Sequence, residues 1–301
     1  MILVVGATGF LGSMITQQLL EKEKEVRFLV RENSIAAEMA RVGLGTPAET
    51  LISAGAQPVY GDLKDRPTLG NACRDVTTVI TTANSVLRGG DDTIESVDLN
   101  GTQNLIDAAR NAGVQKFIYV SVLGADVESP NSLGQAKALC EIKLRESGMD
   151  YTILQPGFFM EVWAGLVVAA PLQAGLPVTL VKPGNHKHAF VSARDVAAYA
   201  VEAVDHGAAR KALIRIGGPE AYSWNDIVNT AGEILGHALL VNYVSAGDPI
   251  PTLPEAVVPL MYSFETYESY INMNAAVMLF NIQPTSLKTF MQGFLSTVSE
   301  A

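Results

Sequence analysis

The sequence predicts an α/β protein built on a doubly wound parallel sheet, with a smaller and less regular C-terminal part. Three observations carry this expectation. Short β-branched runs alternate with stretches of helical period from the first residue to about residue 155, the pattern of parallel strands covered by helices on both faces. A glycine-rich turn, Gly6 to Gly12, separates the first strand from the first helix. After about residue 156 the alternation loosens, and Pro, Gly and aromatic residues become frequent, as in Gln155-Pro156-Gly157-Phe158-Phe159.

The elements follow in order. Apolar, β-branched runs predict strands at 2–5, 26–30, 57–60, 78–82, 116–120 and 151–155. Helical periodicity between them predicts helices at 11–21, 34–41, 67–72, 94–112 and 135–147. Further on, strands are expected at 179–181 and 214–216, and helices at 193–205, 225–235 and 285–298. No internal repeat, low-complexity tract or flexible linker is visible. The division expected is a dinucleotide-binding Rossmann-type domain at 1–155 and a substrate-binding part at 156–301, packed against the first and partly interwoven with it. In such a sheet, ligands bind outside the carboxyl ends of the strands.

Composition bounds the function. The chain has 301 residues, 48% hydrophobic and 17% charged, which is globular and large enough for a full core. Its formal charge of −10 repels a phosphate backbone, so no nucleic-acid partner is expected. Lys182, His186, Lys187 and His188 read either as a local basic patch or as a short solvated loop. Cys73 and Cys140 stand alone, indicating neither a disulfide framework nor a zinc site. The chain opens without a basic leader, and its apolar stretch at 164–181 is broken by Pro171, Gln173, Gly175 and Pro177. Neither a signal peptide nor a membrane span is expected, and the location expected is cytoplasmic.

The segment Gly6-Ala7-Thr8-Gly9-Phe10-Leu11-Gly12 follows a strand and opens a helix. Glycine there permits a tight turn and close backbone approach to a pyrophosphate, which meets the unpaired amides and positive end of the helix. A bare strand-to-helix turn is the alternative, and the strand–turn–helix context favours phosphate. Arg31 falls at the end of the second strand, where an acidic side chain would accept from a free ribose 2′-hydroxyl and a guanidinium can grip a 2′-phosphate. NADP(H) is therefore favoured over NAD(H). Glu32 complicates the reading, since it can neutralise Arg31 or itself reach the ribose.

Together with Gly61-Asp62-Leu63, the segment 100–105, Tyr119-Val120-Ser121-Val122-Leu123-Gly124, Lys137, Gln155-Pro156-Gly157 and the segment 189–197, these residues resemble the atypical short-chain dehydrogenase/reductases, in particular the NmrA-like branch. The likeness is good to about residue 200 and thin beyond it. It implies a Rossmann fold, NADP(H) binding, and either reductase activity of the quinone-, triphenylmethane- or isoflavone-reductase kind or redox sensing without turnover. It further implies that Asp62 and Leu63 flank adenine, that Thr82, Ala83 and Asn84 line the cofactor, and that Pro156, Gly157 and Phe158 lie by the nicotinamide. Such proteins occur as monomers or homodimers. One departure stands out: short-chain dehydrogenases carry a Tyr four residues before the active-site Lys, and here that residue is Leu133. Without a positioned phenol, alcohol–ketone interconversion loses its acid, whereas quinones, enones and dyes accept hydride into a delocalised system.

Several residues have two open readings. Lys137 is either a surface lysine paired with Glu141 at i, i+4 or, by the resemblance, a catalytic group on the nicotinamide ribose. Ser121 is either ligand-facing and catalytic or a helix cap. Phe158, Phe159 and Trp163 are either core or contacts for a flat substrate. His188 is either an idle loop residue or a substrate-side proton donor replacing the missing Tyr. The function expected is NADPH-dependent reduction of a planar, electron-poor small molecule, with no metal. The alternatives are a non-catalytic NADP-binding sensor or assembly factor, and a ketone- or sugar-nucleotide-modifying enzyme using another acid.

Overall fold

A computed structural model describes residues 1–31, 45–86, 88–253, 255 and 257–299. The expected helix at 34–41 and Glu32 lie outside the described residues. The first six strands are β1 (Ile2–Val5), β2 (Val26–Val30), β3 (Gln57–Tyr60), β4 (Thr78–Thr81), β5 (Lys116–Val120) and β6 (Asp150–Pro156). They are followed by β7 (Phe158–Phe159), β8 (Val178–Val181), β9 (Phe190–Val191), β10 (Ala212–Ile216) and β11 (Val241–Val244).

Seven strands form one sheet in the order β10-β6-β5-β4-β1-β2-β3. From β3 to β6 every pairing is parallel. The pattern of side chains explains the order. β1 and β4 are buried at every position, as strands covered on both faces must be, and they lie at the centre. β3 is mostly exposed and contains Pro58, which has no amide to give a second neighbour and is at home on an edge. Register sets Val5 beside Leu29 on one side and Thr81 on the other. The strand order thus reverses between β1 and β4, and their carboxyl ends open the crevice where this fold receives ligands.

The expected helices form at Phe10–Glu21, Arg66–Ala72, Ser132–Glu146, Ala193–Glu202, Trp224–Leu235 and Leu287–Ser299, with ends shifted by a few residues. The helix expected at 94–112 is corrected: it starts as a π-helix, Ile94–Gly101, and becomes α-helical at Thr102–Asn111. Thr93 and Ser96 close a capping box at its start. Elements absent from the sequence reading are the helices Ala48–Ser53, Val258–Phe264 and Asn274–Phe280, the strands β7, β9 and β11, and a broken helix from Met160 to Gln173. Pro171 lies in the first turn of the last α-helical piece, directly after the π-helical stretch Gly165–Ala169.

The chain divides into two compact units, residues 1–156 with 196–214, and residues 157–195 with 215–301. The helix Ala193–Glu202 and the start of β10 therefore return largely to the N-terminal unit. Its core gathers Leu3, Val5, Leu69, Val79, Leu105, Phe117 and Ile153 under the sheet. The second unit has its own core around Phe190, Trp224, Met261, Phe264 and Met291, and two short parallel pairs, β8–β11 and β7–β9. Among the described residues no helix is long and apolar enough to cross a membrane.

Candidate functional site

The turn after β1 has no room for a side chain at two of its glycines. Gly6 has φ +86°, and a Cβ there would lie 2.7 Å from Thr82 Oγ1 and 2.9 Å from the Ala83 amide nitrogen. A Cβ on Gly12 would fall onto the Gly6 carbonyl. Both glycines are therefore required by close backbone approach rather than by flexibility alone. Gly9 is the N-cap of the helix Phe10–Glu21, which has no side-chain cap and no acidic residue in its first turn. The positive dipole end of such a helix favours an anion. Leu11 is buried and anchors the helix, so it offers only backbone, whereas Thr8 and Phe10 are half-buried. Residues 45 and 46 run beside the turn: Thr46 donates to the Thr8 carbonyl (2.9 Å), and Gly45 bridges Gly9.

Thr82, Ala83 and Asn84 continue β4 at the same edge, half-buried, buried and exposed in turn. The structure brings Lys137 to this place. Its ammonium lies 3.5 Å from the Ala83 carbonyl, 3.3 Å from Asp98 Oδ1 and 5.3 Å above the Tyr119 ring. The reading of Lys137 as a surface lysine paired with Glu141 is corrected. Lys137 is 3% exposed, and its charged partner is Asp98, held in turn by Ser85 through its amide (3.0 Å) and hydroxyl (2.7 Å). Glu141 faces elsewhere: it accepts from Ser121 Oγ (2.6 Å) and Gln155 Nε2 (2.8 Å) and pairs with Arg145. Ser121 is therefore no helix cap; its hydroxyl is committed to a buried carboxylate. Tyr119 does not supply the missing phenol. Burial pushes its hydroxyl well above the usual tyrosine range, and it lies in the core cluster.

At the far end of the crevice four side chains from three loops meet. Arg31 Nη1 and Lys64 Nζ each lie 2.6 Å from an oxygen of Asp92, and Arg88 lies 3.6 Å from it. Asp62 stands 4.0 Å from Arg31 and accepts the Lys64 amide (2.8 Å). Burial pushes the Asp92 carboxyl up, but hydrogen bonds from Lys64 and Arg31 outweigh it and hold the group below its ordinary range. The bond that Lys64 donates to Asp92 raises the Lys64 ammonium, while burial lowers Arg88. Leu63 turns its side chain into the core, where a Cβ on Gly101 would come within 2.9 Å of it. Sequence reasoning missed Lys64, Arg88, Asp92 and Asp98. No local pattern marks them, because their partners arrive from other loops.

Pro156 closes β6, and its carbonyl accepts from the Leu123 amide (3.0 Å). In the second unit, Gly157 donates to the Ile216 carbonyl (2.9 Å), and a Cβ there would strike the Ala189 carbonyl. Phe158 packs edge-on against Phe264 (4.5 Å), His188 (5.6 Å) and Trp163 (6.1 Å). Phe158, Phe159 and Trp163 are half-buried. The expectation for His188 is corrected: it is 1% exposed, neither a solvated loop residue nor part of a basic patch. Its Nε2 donates to the Phe264 carbonyl (2.8 Å), and Nδ1 faces the Ser269 hydroxyl at 3.4 Å. Burial lowers its pKa, so the ring is a neutral packing element and not an available acid. Among the described residues no cluster of His, Cys, Asp and Glu could hold a metal.

A glycine turn at the switch point of a doubly wound sheet, with a cation at the end of β2, defines an α/β protein of the nucleotide-binding class. The chain belongs to the NmrA-like family, whose model matches residues 1–289. It is 30% identical to the photosystem II assembly factor Ycf39 of Synechocystis over 88% of this chain and 74% of that protein. It is likewise 30% identical to the NAD(P)H azoreductase of Xenophilus azovorans, over 81% of this chain and 77% of that one. Among solved structures it resembles the quinone oxidoreductase QOR2 of Escherichia coli complexed with NADPH, at TM-score 0.76 and 22% identity, covering 98% of this chain and 100% of that chain.

Proposed function

We propose that this protein is an NADPH-dependent reductase acting on a planar, electron-poor small molecule such as a quinone, an enone or a dye. The observation that carries the reading is the cradle formed by Gly6, Gly9 and Gly12 against Thr82 and Ala83, where any Cβ at Gly6 or Gly12 would intrude. A pyrophosphate fits such a cradle, and the helix Phe10–Glu21 turns its N-terminus, with the positive end of its dipole, toward it. Arg31 gives the cation for a 2′-phosphate. Azoreductase and quinone oxidoreductase relatives are consistent with it.

When bound, the nicotinamide supplies the hydride. Lys137 is the residue of this chain poised to hydrogen-bond the adjoining ribose and to stabilise developing negative charge. Its ammonium is held against the Ala83 carbonyl by buried Asp98 rather than left to solvent. Among the described residues, Leu133 stands where the usual Tyr would supply a phenol, and the His188 imidazole is committed to Phe264. That suits acceptors whose charge spreads over a conjugated system, with water completing protonation. In the second unit, half-buried Phe158 and Trp163 offer the apolar, flat surfaces such molecules need.

Stopped-flow mixing of protein and NADPH with a panel of quinones, enones, azo compounds and triphenylmethane dyes tests the reading. Oxidation well above the buffer rate with one class is expected. No oxidation with any acceptor sinks it. The likeness to a photosystem assembly factor favours a second reading, a cofactor-binding protein without turnover. Tight NADPH binding, no consumption, and cofactor-dependent retention of a protein partner would select that one.

A further inference from the structure

Resting on the NADP(H) reading above, we infer that Lys64 and Arg88 complete a 2′-phosphate site with Arg31, and that Asp92 holds this site as an internal anion which the cofactor's 2′-phosphate displaces. The three cations come from three separate places at the carboxyl end of the sheet. Arg31 follows β2, Lys64 follows β3, and Arg88 follows β4. They converge on one carboxylate, with Arg31 and Lys64 each taking one oxygen at 2.6 Å and Arg88 approaching at 3.6 Å. A carboxylate bound through both oxygens by a guanidinium and an ammonium is the arrangement a phosphate makes with the same groups. The Asp92 side chain is 8% exposed, so it fills the space between its partners rather than resting on their outer surface.

Charge decides what can happen there. Among the described residues, Asp92 and Asp62 stand against three cations, which leaves about one positive charge over. A phosphomonoester brings about −1.5 to −2 charge near neutral pH. Added beside Asp92 it would reverse the sign of the site and set two anions on one guanidinium. If Asp92 withdraws, three cations face one carboxylate and one phosphate, close to neutrality. The backbone permits withdrawal: Asp92 ends a turn through Gly89 and Gly90, both at positive φ, with open space where their side chains would be. A ribose 2′-hydroxyl carries no charge and cannot replace Asp92. NAD(H) would then meet a site already satisfied by the protein itself. Discrimination comes as much from the competitor the 2′-hydroxyl cannot displace as from the cations the 2′-phosphate gains.

The test uses the whole chain and two probes that differ by one group, adenosine 2′,5′-bisphosphate and 5′-AMP. Calorimetry would compare wild type with Lys64→Met, Arg88→Met, Arg31→Met and Asp92→Asn, each checked for an unchanged unfolding transition. Lys64→Met and Arg88→Met are expected to weaken the bisphosphate by about tenfold, the scale of one lost charge-assisted contact, and to leave 5′-AMP unchanged. Asp92→Asn, nearly isosteric and without the charge, is expected to tighten the bisphosphate several-fold. A wild type that prefers the bisphosphate while the Lys64 and Arg88 variants keep its full preference would overturn this inference and leave the cofactor reading standing. Asp92→Asn weakening both probes alike would overturn the displacement, because Asp92 would then be a structural tie. A wild type that binds the two probes equally, or neither, removes both this inference and the NADP(H) reading.

Discussion

Nζ of Lys137 lies 3.3 Å from Oδ1 of Asp98, with the two side chains 4% and 0% exposed. A charge buried so far from water is tolerable only beside its partner. Oδ1 accepts no well-aligned hydrogen bond and is held by this ion pair alone, while the Ser85 amide and hydroxyl hold Oδ2. The pair is therefore what keeps a lysine on the helix Ser132–Glu146 aimed at the end of β4.

Removing one partner should cost more than removing both. Asp98→Ala is expected to destabilise the protein by about 3 kcal/mol, since it strands a buried ammonium. Asp98→Ala combined with Lys137→Met should recover a large part of that loss. Urea unfolding of the two single variants and the double variant measures this, and simple additivity would show that the two residues do not act as a pair.

Glycine at position 6 is required by geometry and glycine at position 70 is not. Gly6→Ala forces a left-handed backbone on a residue whose Cβ meets Thr82 and Ala83, with an expected cost of roughly 1–3 kcal/mol. Dinucleotide binding should fall more than stability does, because the turn itself must move. At Gly70, on the helix Arg66–Ala72, an added Cβ meets nothing within 4 Å. Gly70→Ala should be neutral or stabilising by up to about 1 kcal/mol. Thermal unfolding and NADPH titration of both variants provide the comparison.

Burial lowers the pKa of His188 below its ordinary 6.5, against smaller raising effects from the Phe264 carbonyl and from Glu265. The folded state thus prefers the neutral ring. The stability this gives is fully present above about pH 6.5 and is lost as pH falls from there through the depressed folded value. Thermal unfolding between pH 8 and pH 5 should show the wild type losing stability in that window, with a smaller loss for His188→Gln. Parallel curves for the two proteins would remove His188 as the source.

Activity should separate the two basic candidates. Lys137→Met is expected to lower the rate of NADPH oxidation by about 100-fold or more, in line with losing a positioned charge at the reacting end. His188→Gln should stay within a few-fold of wild type, because neither ring nitrogen is available to a substrate. Steady-state kinetics with the best acceptor from the panel checks both. A collapse of activity in His188→Gln at unchanged stability would reinstate the histidine as an acid.

Much of the fold was legible because its signals are local. Alternation of apolar strands and amphipathic helices and a glycine turn after residue 5 are each read within a few residues. What escaped was short or irregular. The π-helical start at Ile94–Gly101 has the same apolar periodicity as an α-helix over so few residues, and the broken helix around Pro171 looks like a loop because proline usually ends one.

Sequence by itself determined the doubly wound sheet and the place of the glycine turn, since strand burial and backbone freedom belong to the residues that carry them. It also placed Arg31 at the end of β2 and left Leu133 where a Tyr is usual. Only the tertiary structure decided partners. His188 is buried, which lowers its pKa, and its Nε2 donates to the carbonyl of Phe264, 76 residues away. Lys137 answers to Asp98 and not to nearby Glu141, and Arg31 shares Asp92 with Lys64 and Arg88. Electrostatic role depends on distance in space and on exclusion of water, and neither is written in the spacing of residues along the chain.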